Sequence, residues 1–338
     1  MYIENNPLNK YVSYWLISIF LILSIMIVVG GLTRLTDSGL SITEWELFSG
    51  IIPPLNTNQW NEYFNLYKKI PEYRLQNYSM TLGEFKVIFW WEFIHRFLGR
   101  LIGIFFLIPL IFFSSKLGFR KTINFHVIFL LICLQGFIGW YMVSSGLTDN
   151  VDVSHYRLAL HLTLAFVILT LVFWNYLNYN NINLPVKKIN NFLPFFLVLF
   201  LFIQIIFGAF VSGMDAGKIY NTWPLMGDDF FPDDSDLISL FTISMFSDPS
   251  LVQFLHRNLA YLLFLFYLII LFKSYLYKSL EYFKILKIIG FLLTIQIVLG
   301  IFTLLSGAQI LVASMHQISS IFLLSSSIFF LYLNTRTS

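Results

Sequence analysis

The sequence predicts an all-α integral membrane protein with eight transmembrane helices, arranged as two parallel-repeat four-helix bundles. Of its 338 residues, 57% are hydrophobic and only 12% are charged, a balance typical of chains that span a bilayer. Eight apolar stretches are long enough to cross the hydrocarbon core. Polar motifs of the first four stretches recur in the last four, which indicates an internal repeat.

Each predicted span is a run of about 20 or more largely apolar residues between polar loops. Pro109 and Pro194 fall near span ends, where a proline kinks or starts a helix at little cost. In chain order the spans cover residues 13–33, 87–113, 122–145, 158–178, 192–212, 251–272, 285–306 and 310–333.

The loops predict the orientation of these spans. Lysine and arginine are concentrated in the short loops between spans two and three, four and five, and six and seven. The other loops are longer, and one carries the acidic run from Asp228 to Asp236. By the positive-inside rule, both termini are expected in the cytoplasm. The short polar N-terminus resembles neither a signal peptide nor a transit peptide, which favours a bacterial inner membrane.

The first outer loop, about residues 34–86, contains a group of aromatic residues at helical spacing. Trp60, Tyr63, Phe64 and Tyr67 recur three or four residues apart. That spacing predicts an amphipathic helix, which we expect to lie on the membrane surface.

The two halves of the chain share polar motifs at nearly constant offsets. Asp37, Gly39 and Trp45 match Asp215, Gly217 and Trp223 at an offset of 178. Glu92, His95 and Arg96 match Gln253, His256 and Arg257 at 161, and His161 matches His316 at 155. Offsets that change only in loops indicate a duplicated unit, and an even number of spans makes the copies parallel. The predicted domains are residues 1–185 and 186–338.

Four of the six histidines lie in even-numbered spans, which run from the outer side inward: His95, His161, His256 and His316. Each lies four to nine residues into its span, or roughly 6–14 Å deep at a rise of 1.5 Å per residue. Two imidazoles that face each other across a four-helix bundle form a bis-His haem site. The sequence therefore predicts one such pair in each half.

Other metal sites fit the residues less well. A di-iron carboxylate site needs Glu-x-x-His twice and two further glutamates, and the second copy here has Gln253. The single cysteine, Cys133, offers no thiolate pair and no intrachain disulfide. His126 and His155 have no repeat partner, and we interpret them as packing residues.

The ionisable residues beside the histidines are candidates for the same sites. A charged group inside a hydrocarbon span is unfavourable by roughly 2.5–3.5 kcal/mol and marks a functional site by default. Glu92 shares a helix face with His95. Arg96, Arg100 and Arg257 suit haem propionates, since a guanidinium binds a carboxylate bidentately.

These motifs together resemble the haem A synthase family over nearly the whole chain. They are the stretch from Gly30 to Ser41 (GGLTRLTDSGLS), Glu92-Phe93-Ile94-His95-Arg96, the second His-Arg at His256, and Met315-His316-Gln317. Family members that carry cysteine pairs in outer loops differ from this chain. It therefore resembles the cysteine-free branch of proteobacteria and mitochondria.

The resemblance implies a role for each site residue. His256 and His316 would hold a resident haem b as cofactor, and His95 and His161 would bracket the substrate, haem O. Glu92 would be the acid beside the substrate. The activity would be oxidation of a ring methyl to a formyl group by successive hydroxylations. Implied partners are haem O synthase, cytochrome oxidase assembly factors and an electron carrier; we expect no nucleic acid.

Two other functions would use similar residues. A bis-His electron-transfer cytochrome with two resident haems would need the same four histidines. It would not need an acid at only one of its sites, and Glu92 is replaced by Gln253 in the second copy. A haem or small-molecule transporter would more typically show inverted repeats and broken helices.

Overall fold

The computed structural model describes residues 7–45, 49–147, 151–180, 182, 192–276 and 280–336. Within these ranges the secondary structure is helical, and the sole β pairing is an isolated bridge between Met226 and Asp229. Lys187, Lys188 and Lys278, which contribute to the predicted orientation, lie outside the described residues, as does the predicted domain boundary after residue 185.

Eight helices of the described chain are long and apolar enough to cross a membrane. They are α1 (Leu8–Leu35), α4 (Leu82–Leu117), α5 (Phe119–Gly146), α6 (His155–Tyr179), α7 (Phe192–Gly213), α8 (Pro249–Leu276), α9 (Leu280–Leu305) and α10 (Ile310–Arg336). Each predicted span falls inside its helix to within one residue, so the all-α membrane fold is confirmed. Most helices extend beyond the apolar run, because backbone hydrogen bonding continues where the side chains become polar.

The first outer loop contains two short helices, α2 (Thr57–Tyr67) and α3 (Pro71–Leu75). The predicted amphipathic helix is therefore confirmed as α2. Its apolar face packs on α4, with ring centroids 4.9 Å apart for Trp60 and Phe89 and 5.0 Å apart for Phe64 and Phe85. Because this face is buried in protein, it is not the membrane-facing surface that the sequence suggested.

The described chain divides into two compact units. Residues Leu21–Ile168 form the first unit, and the residues before Leu21 form the second together with those from Leu169 onward. In the first unit, α2 and α5 pack against α4. A buried apolar cluster, which includes Leu40, Tyr67 and Phe93, joins the outer loop to the start of α4.

The second unit contains α7 to α10. Each of these helices contacts the next, and α10 contacts α7, so the four close a ring. Buried tyrosines add polar contacts within the unit: Tyr267 Oη donates to the Leu286 carbonyl at 2.9 Å, and Tyr282 Oη donates to Asn334 Oδ1 at 3.0 Å. Buried hydroxyls with a partner avoid the desolvation cost of an unpaired polar group.

Two positions matched by the repeat share an unusual backbone conformation. Asp37 and Asp215 follow α1 and α7 and have φ angles of 47° and 51°. Aspartate is among the few residues that tolerate this left-handed region, because its short side chain can bond locally. Asp37 accepts from Arg34 Nη1 at 2.6 Å, and Asp215 lies 3.0 Å from Lys218 Nζ.

Candidate functional site

His95 on α4 and His161 on α6 face each other in the first unit, with ring centroids 6.4 Å apart. Each ring lies against a glycine of the preceding spanning helix. A Cβ atom on Gly30 would be 2.9 Å from His95 Cε1, and one on Gly139 would be 3.0 Å from His161 Cε1. The two glycines therefore make the space that the imidazoles fill.

The separation of these rings suits ligation of one metal atom. Bonds between a metal and an imidazole nitrogen are about 2 Å long, so two rings on opposite sides of one metal have centres about 6 Å apart. The Nδ1 atoms of His95 and His161 are buried and have no hydrogen-bond partner among the described residues. Buried polar atoms are normally paired, so two buried imidazoles with an unpaired nitrogen favour a functional role over plain packing.

His256 on α8 and His316 on α10 form the equivalent pair in the second unit. Cβ atoms on Gly208 and Gly300 would lie 3.3 and 3.0 Å from the Cε1 atoms of His256 and His316. Thus all four histidines contact a glycine of the preceding spanning helix. The structure brings His95 and His161 together, and it places His256 and His316 at the matching positions of the second unit, each against its glycine.

The second pair differs from the first in its hydrogen bonds. Gln204 Nε2 donates to the His256 carbonyl at 2.9 Å and lies 3.2 Å from His256 Nδ1. His316 Nδ1 lies 3.0 Å from the Gln296 carbonyl oxygen. That contact makes Nδ1 the protonated nitrogen and leaves the Nε2 lone pair available to a metal. The Gln296 amide, 3.3 Å from Nε2, occupies that position here.

Three glutamines on the spanning helices share one sequence pattern. Gln135, Gln204 and Gln296 each lie four residues before a glycine that contacts a histidine: Gly139, Gly208 and Gly300. Gln135 Nε2 likewise donates to the His161 carbonyl, at 3.0 Å. Residues four apart share a helix face. Gln-x-x-x-Gly therefore places the glutamine amide, and the space left by the glycine, beside the same histidine. On α1 the corresponding residue is Met26, four before Gly30.

Glu92 is buried one turn before His95, with 2% of its surface exposed. Its Oε1 accepts from Arg96 Nε and Nη2 at 3.0 and 2.6 Å. Its Oε2 accepts from Ser41 Oγ and from the Ile42 backbone N–H, both at 2.7 Å. The carboxylate is therefore held by four donors, which offset the desolvation of a buried charge.

The two histidine-adjacent arginines bind the outer loops in the same way. Arg96 donates to the carbonyls of Ile42 and Glu44 at 2.8 and 3.2 Å. Arg257 donates to those of Tyr220 and Thr222, which lie 178 residues later, at 2.8 and 3.0 Å, and to that of Leu225 at 3.2 Å. Both arginines thus attach a loop to the histidine helix. For Arg257, the predicted binding of a cofactor would have to use the N–H groups that these carbonyls leave over: that of Nε, which is buried without a hydrogen-bond partner in the described chain, and the second one of Nη2.

Gln253 takes the place of Glu92 in the second unit without its charge. Its Nε2 donates to the Tyr220 carbonyl at 3.1 Å, the same carbonyl that Arg257 binds. Gln253 Oε1 is buried and has no hydrogen-bond partner in the described part of the chain. An amide therefore joins helix and loop here by donating, whereas the carboxylate of Glu92 joins them by accepting.

The outer loop of the first unit contains a second buried carboxyl group, Glu72 on α3. It is 3% exposed and accepts from Tyr67 Oη at 2.9 Å and from Asn77 Nδ2 at 3.3 Å. Burial raises the pKa of Glu72 to about 8. It also raises the pKa of Tyr67. No sequence pattern singles out Glu72, because nothing in the residues around it distinguishes a buried glutamate from an exposed one.

The remaining two histidines lie in local contacts. His126 Nε2 is 3.0 Å from Ser114 Oγ, and its ring centroid is 4.7 Å from that of Phe119. His155 begins α6 with its ring centroid 4.1 Å from that of Tyr156.

Comparison with known proteins gives a consistent result over the whole chain. Residues 13–328 match the family model described as cytochrome oxidase assembly protein. A protein of Pelagibacter ubique named heme A synthase is 52% identical over 99% of this chain and 100% of its own length. Proteins of the same name from Rickettsia bellii and Flavobacterium johnsoniae are each 41% identical, over 94% and 96% of this chain and 96% and 98% of theirs.

Proposed function

The chain belongs to the cytochrome oxidase assembly protein family, and from this membership and its histidine pairs we propose that it is the membrane enzyme that converts haem O to haem A. The reaction oxidises a ring methyl of haem O to a formyl group. It proceeds by two successive hydroxylations of the methyl and loss of water from the resulting diol.

The observation that carries the proposal is the difference between the two histidine pairs. The histidines of both pairs are placed for binding a metal. Only His95 has a carboxylate, that of Glu92, one turn away on its helix. Two equivalent electron-relay haems would not require an acid at one site alone. The di-haem electron-transfer cytochrome is therefore disfavoured, in agreement with the names of the relatives.

We assign the haems to the two halves accordingly. His256 and His316, in the domain of residues 186–338, hold haem b as cofactor; this haem supplies one-electron redox chemistry when bound. His95 and His161, in residues 1–185, bind the substrate haem O from opposite sides. Arg257 contributes to the haem b site through the loop that it attaches, and through its unpaired Nε.

The residues of the substrate site supply orientation and charge. The glycine contacts fix where each imidazole lies, and the apolar helices exclude water from the methyl that reacts. Glu92 presents a negative charge that stabilises positive charge developing at the methyl, or takes up its proton. To accept a proton, Glu92 must release one of its four donors, and Ser41 Oγ is the one that can rotate away at least cost.

The location and partners follow from the same proposal. The chain lies in a bacterial inner membrane with both termini in the cytoplasm, as the positive-inside rule predicts. It receives haem O from haem O synthase, exchanges electrons with a carrier, and delivers haem A to the assembly of cytochrome oxidase.

The experiment is haem extraction from a bacterial strain that makes haem O and has no haem A-forming enzyme of its own. Expression of this chain should produce haem A. A His95→Ala chain, expressed to the same level, is the matched control and should leave haem O unconverted. Two tightly bound haem b per chain without haem A would instead identify an electron-transfer cytochrome.

A further inference from the structure

The polar restraint on each histidine is distributed unequally over the four helix pairs. His256 has the Gln204 amide at its carbonyl and beside its Nδ1, and His316 Nδ1 lies 3.0 Å from the backbone carbonyl oxygen of Gln296. Ser319 Oγ donates in turn to Gln296 Oε1. Outer-shell partners of this kind fix ring orientation, and their loss typically costs about 10–100-fold in metal affinity.

His95 has no such restraint, because α1 carries Met26 where α7 carries Gln204. A thioether has no hydrogen to donate, and His95 Nδ1 has no hydrogen-bond partner among the described residues. Met26 Cε lies 3.5 Å from the Cβ position of Gly99, one turn beyond His95 on α4. Met26 therefore packs on the histidine helix through its apolar methyl group.

The two haems require opposite properties of their ligands. A resident haem b must stay bound through many turnovers, so a rigid, hydrogen-bonded imidazole favours it. A substrate haem must leave after oxidation, so an imidazole that is free to turn away favours release. The presence of Gln204 beside His256, and of Met26 at the equivalent place beside His95, corresponds to these two requirements.

We propose, on the basis of the proposed function, that Met26 is a positioning residue. It leaves His95 without a hydrogen bond from the neighbouring helix, so that the substrate haem is released at this ligand. Gln204, at the equivalent place, is the positioning residue that keeps His256 on the resident haem. His161 Nδ1 likewise has no hydrogen-bond partner among the described residues. His161 differs from His95 in the Gln135 contact to its backbone carbonyl, which restrains the helix and not the ring.

The test measures haem release and does not depend on turnover. The full-length chain is purified, loaded with ferric haem b at both sites, and mixed with excess apomyoglobin, which captures released haem. His95→Ala and His316→Ala chains assign the fast and slow phases to the two sites. We expect Met26→Gln to slow the fast phase about tenfold, and Gln204→Met to accelerate the slow phase about 10–100-fold, the range for outer-shell partners.

Controls separate the amide from general packing effects. Met26→Leu changes the side chain without adding a donor and should leave the fast phase within about twofold of the parent chain, as outer-shell effects of about tenfold or more are expected only from a polar partner. In each variant the phase of the unaltered site reports intact folding.

Two results would overturn the inference: a Met26→Gln chain whose fast phase is unchanged, or swaps that alter both phases together. The measured release rates do not depend on whether the chain makes haem A. If cells make no haem A but the reciprocal swap shifts release as expected, the enzymatic proposal fails and the restraint of the histidines stands.

Discussion

The guanidinium of Arg96 donates two hydrogen bonds to a single oxygen of Glu92, Oε1, at 3.0 and 2.6 Å. The other oxygen, Oε2, is left to Ser41 and the Ile42 backbone. The same arginine binds the Ile42 and Glu44 carbonyls. The ion pair thus connects the histidine helix to the outer loop, and Glu92 has a structural contact in addition to its proposed part in the reaction.

The Glu92→Gln chain should fold and keep haem b, because Gln253 shows that this position accepts an amide in the other half. We expect it to make at least tenfold less haem A, about 1.4 kcal/mol of lost transition-state stabilisation or more. Pigment extraction measures the haem A, haem O and haem b of the strain. The matched control is Ser41→Ala, which removes one donor to Oε2 and retains the charge. Near-normal haem A in Glu92→Gln would show that the residue serves the ion pair alone.

His316→Ala should remove most of the haem b that purifies with the chain, because a six-coordinate site loses an axial ligand. His161→Ala should leave that haem largely in place, since it lies in the other pair. The haem content per chain of each purified variant, from absorbance and protein determination, distinguishes them. Equal loss from both would contradict the division of the haems between the halves.

The raised pKa of Glu72 predicts a pH dependence of stability. A carboxyl with a folded-state pKa of about 8 binds its proton more tightly in the folded chain than in the unfolded one. The folded state is therefore favoured at low pH and loses stability as pH rises from the unfolded pKa near 4 through about 8. The melting temperature in detergent should fall over this range, and Glu72→Gln should flatten the slope.

Glu62→Gln is the control for that experiment, because Glu62 is exposed on the neighbouring helix α2. It should retain the pH dependence of the parent chain. A Glu72→Gln chain with the parental slope would show that other carboxyl groups cause the effect.

Topology reporters test the predicted orientation. Fusions at Lys187, which lies outside the described residues, and at Asp234 in the acidic outer loop should report opposite sides of the membrane. Activity of a cytoplasmic reporter at Lys187 and of a periplasmic reporter at Asp234 is expected from the distribution of lysine and arginine. One predicted span separates the two positions. If both fusions report the same side of the membrane, the predicted number of spans is wrong.

The sequence was sufficient to predict the spans and the histidine pairs, since both depend on patterns in the chain itself. Apolar runs set the eight helices, and the repeat pointed to His95 with His161 and to His256 with His316. The contact from Gln204 to His256 was missed because its counterpart on α1 is Met26, so the repeat breaks at that position. Arg96 and Arg257 bind backbone carbonyls of the outer loops. Every residue has such a carbonyl, so the sequence does not show which ones are bound. The burial of Glu72 depends on how α3 packs, which local pattern does not specify.

The most direct test of the central claim is the ratio of haem A to haem O in a strain that supplies haem O and lacks its own haem A-forming enzyme. Haem extracted before and after expression of this chain is separated by chromatography and identified by mass. We expect haem A to appear and haem O to fall with the parent chain, but not with the His95→Ala chain. Unchanged haem O, with the chain present in the membrane and loaded with haem b, would contradict it.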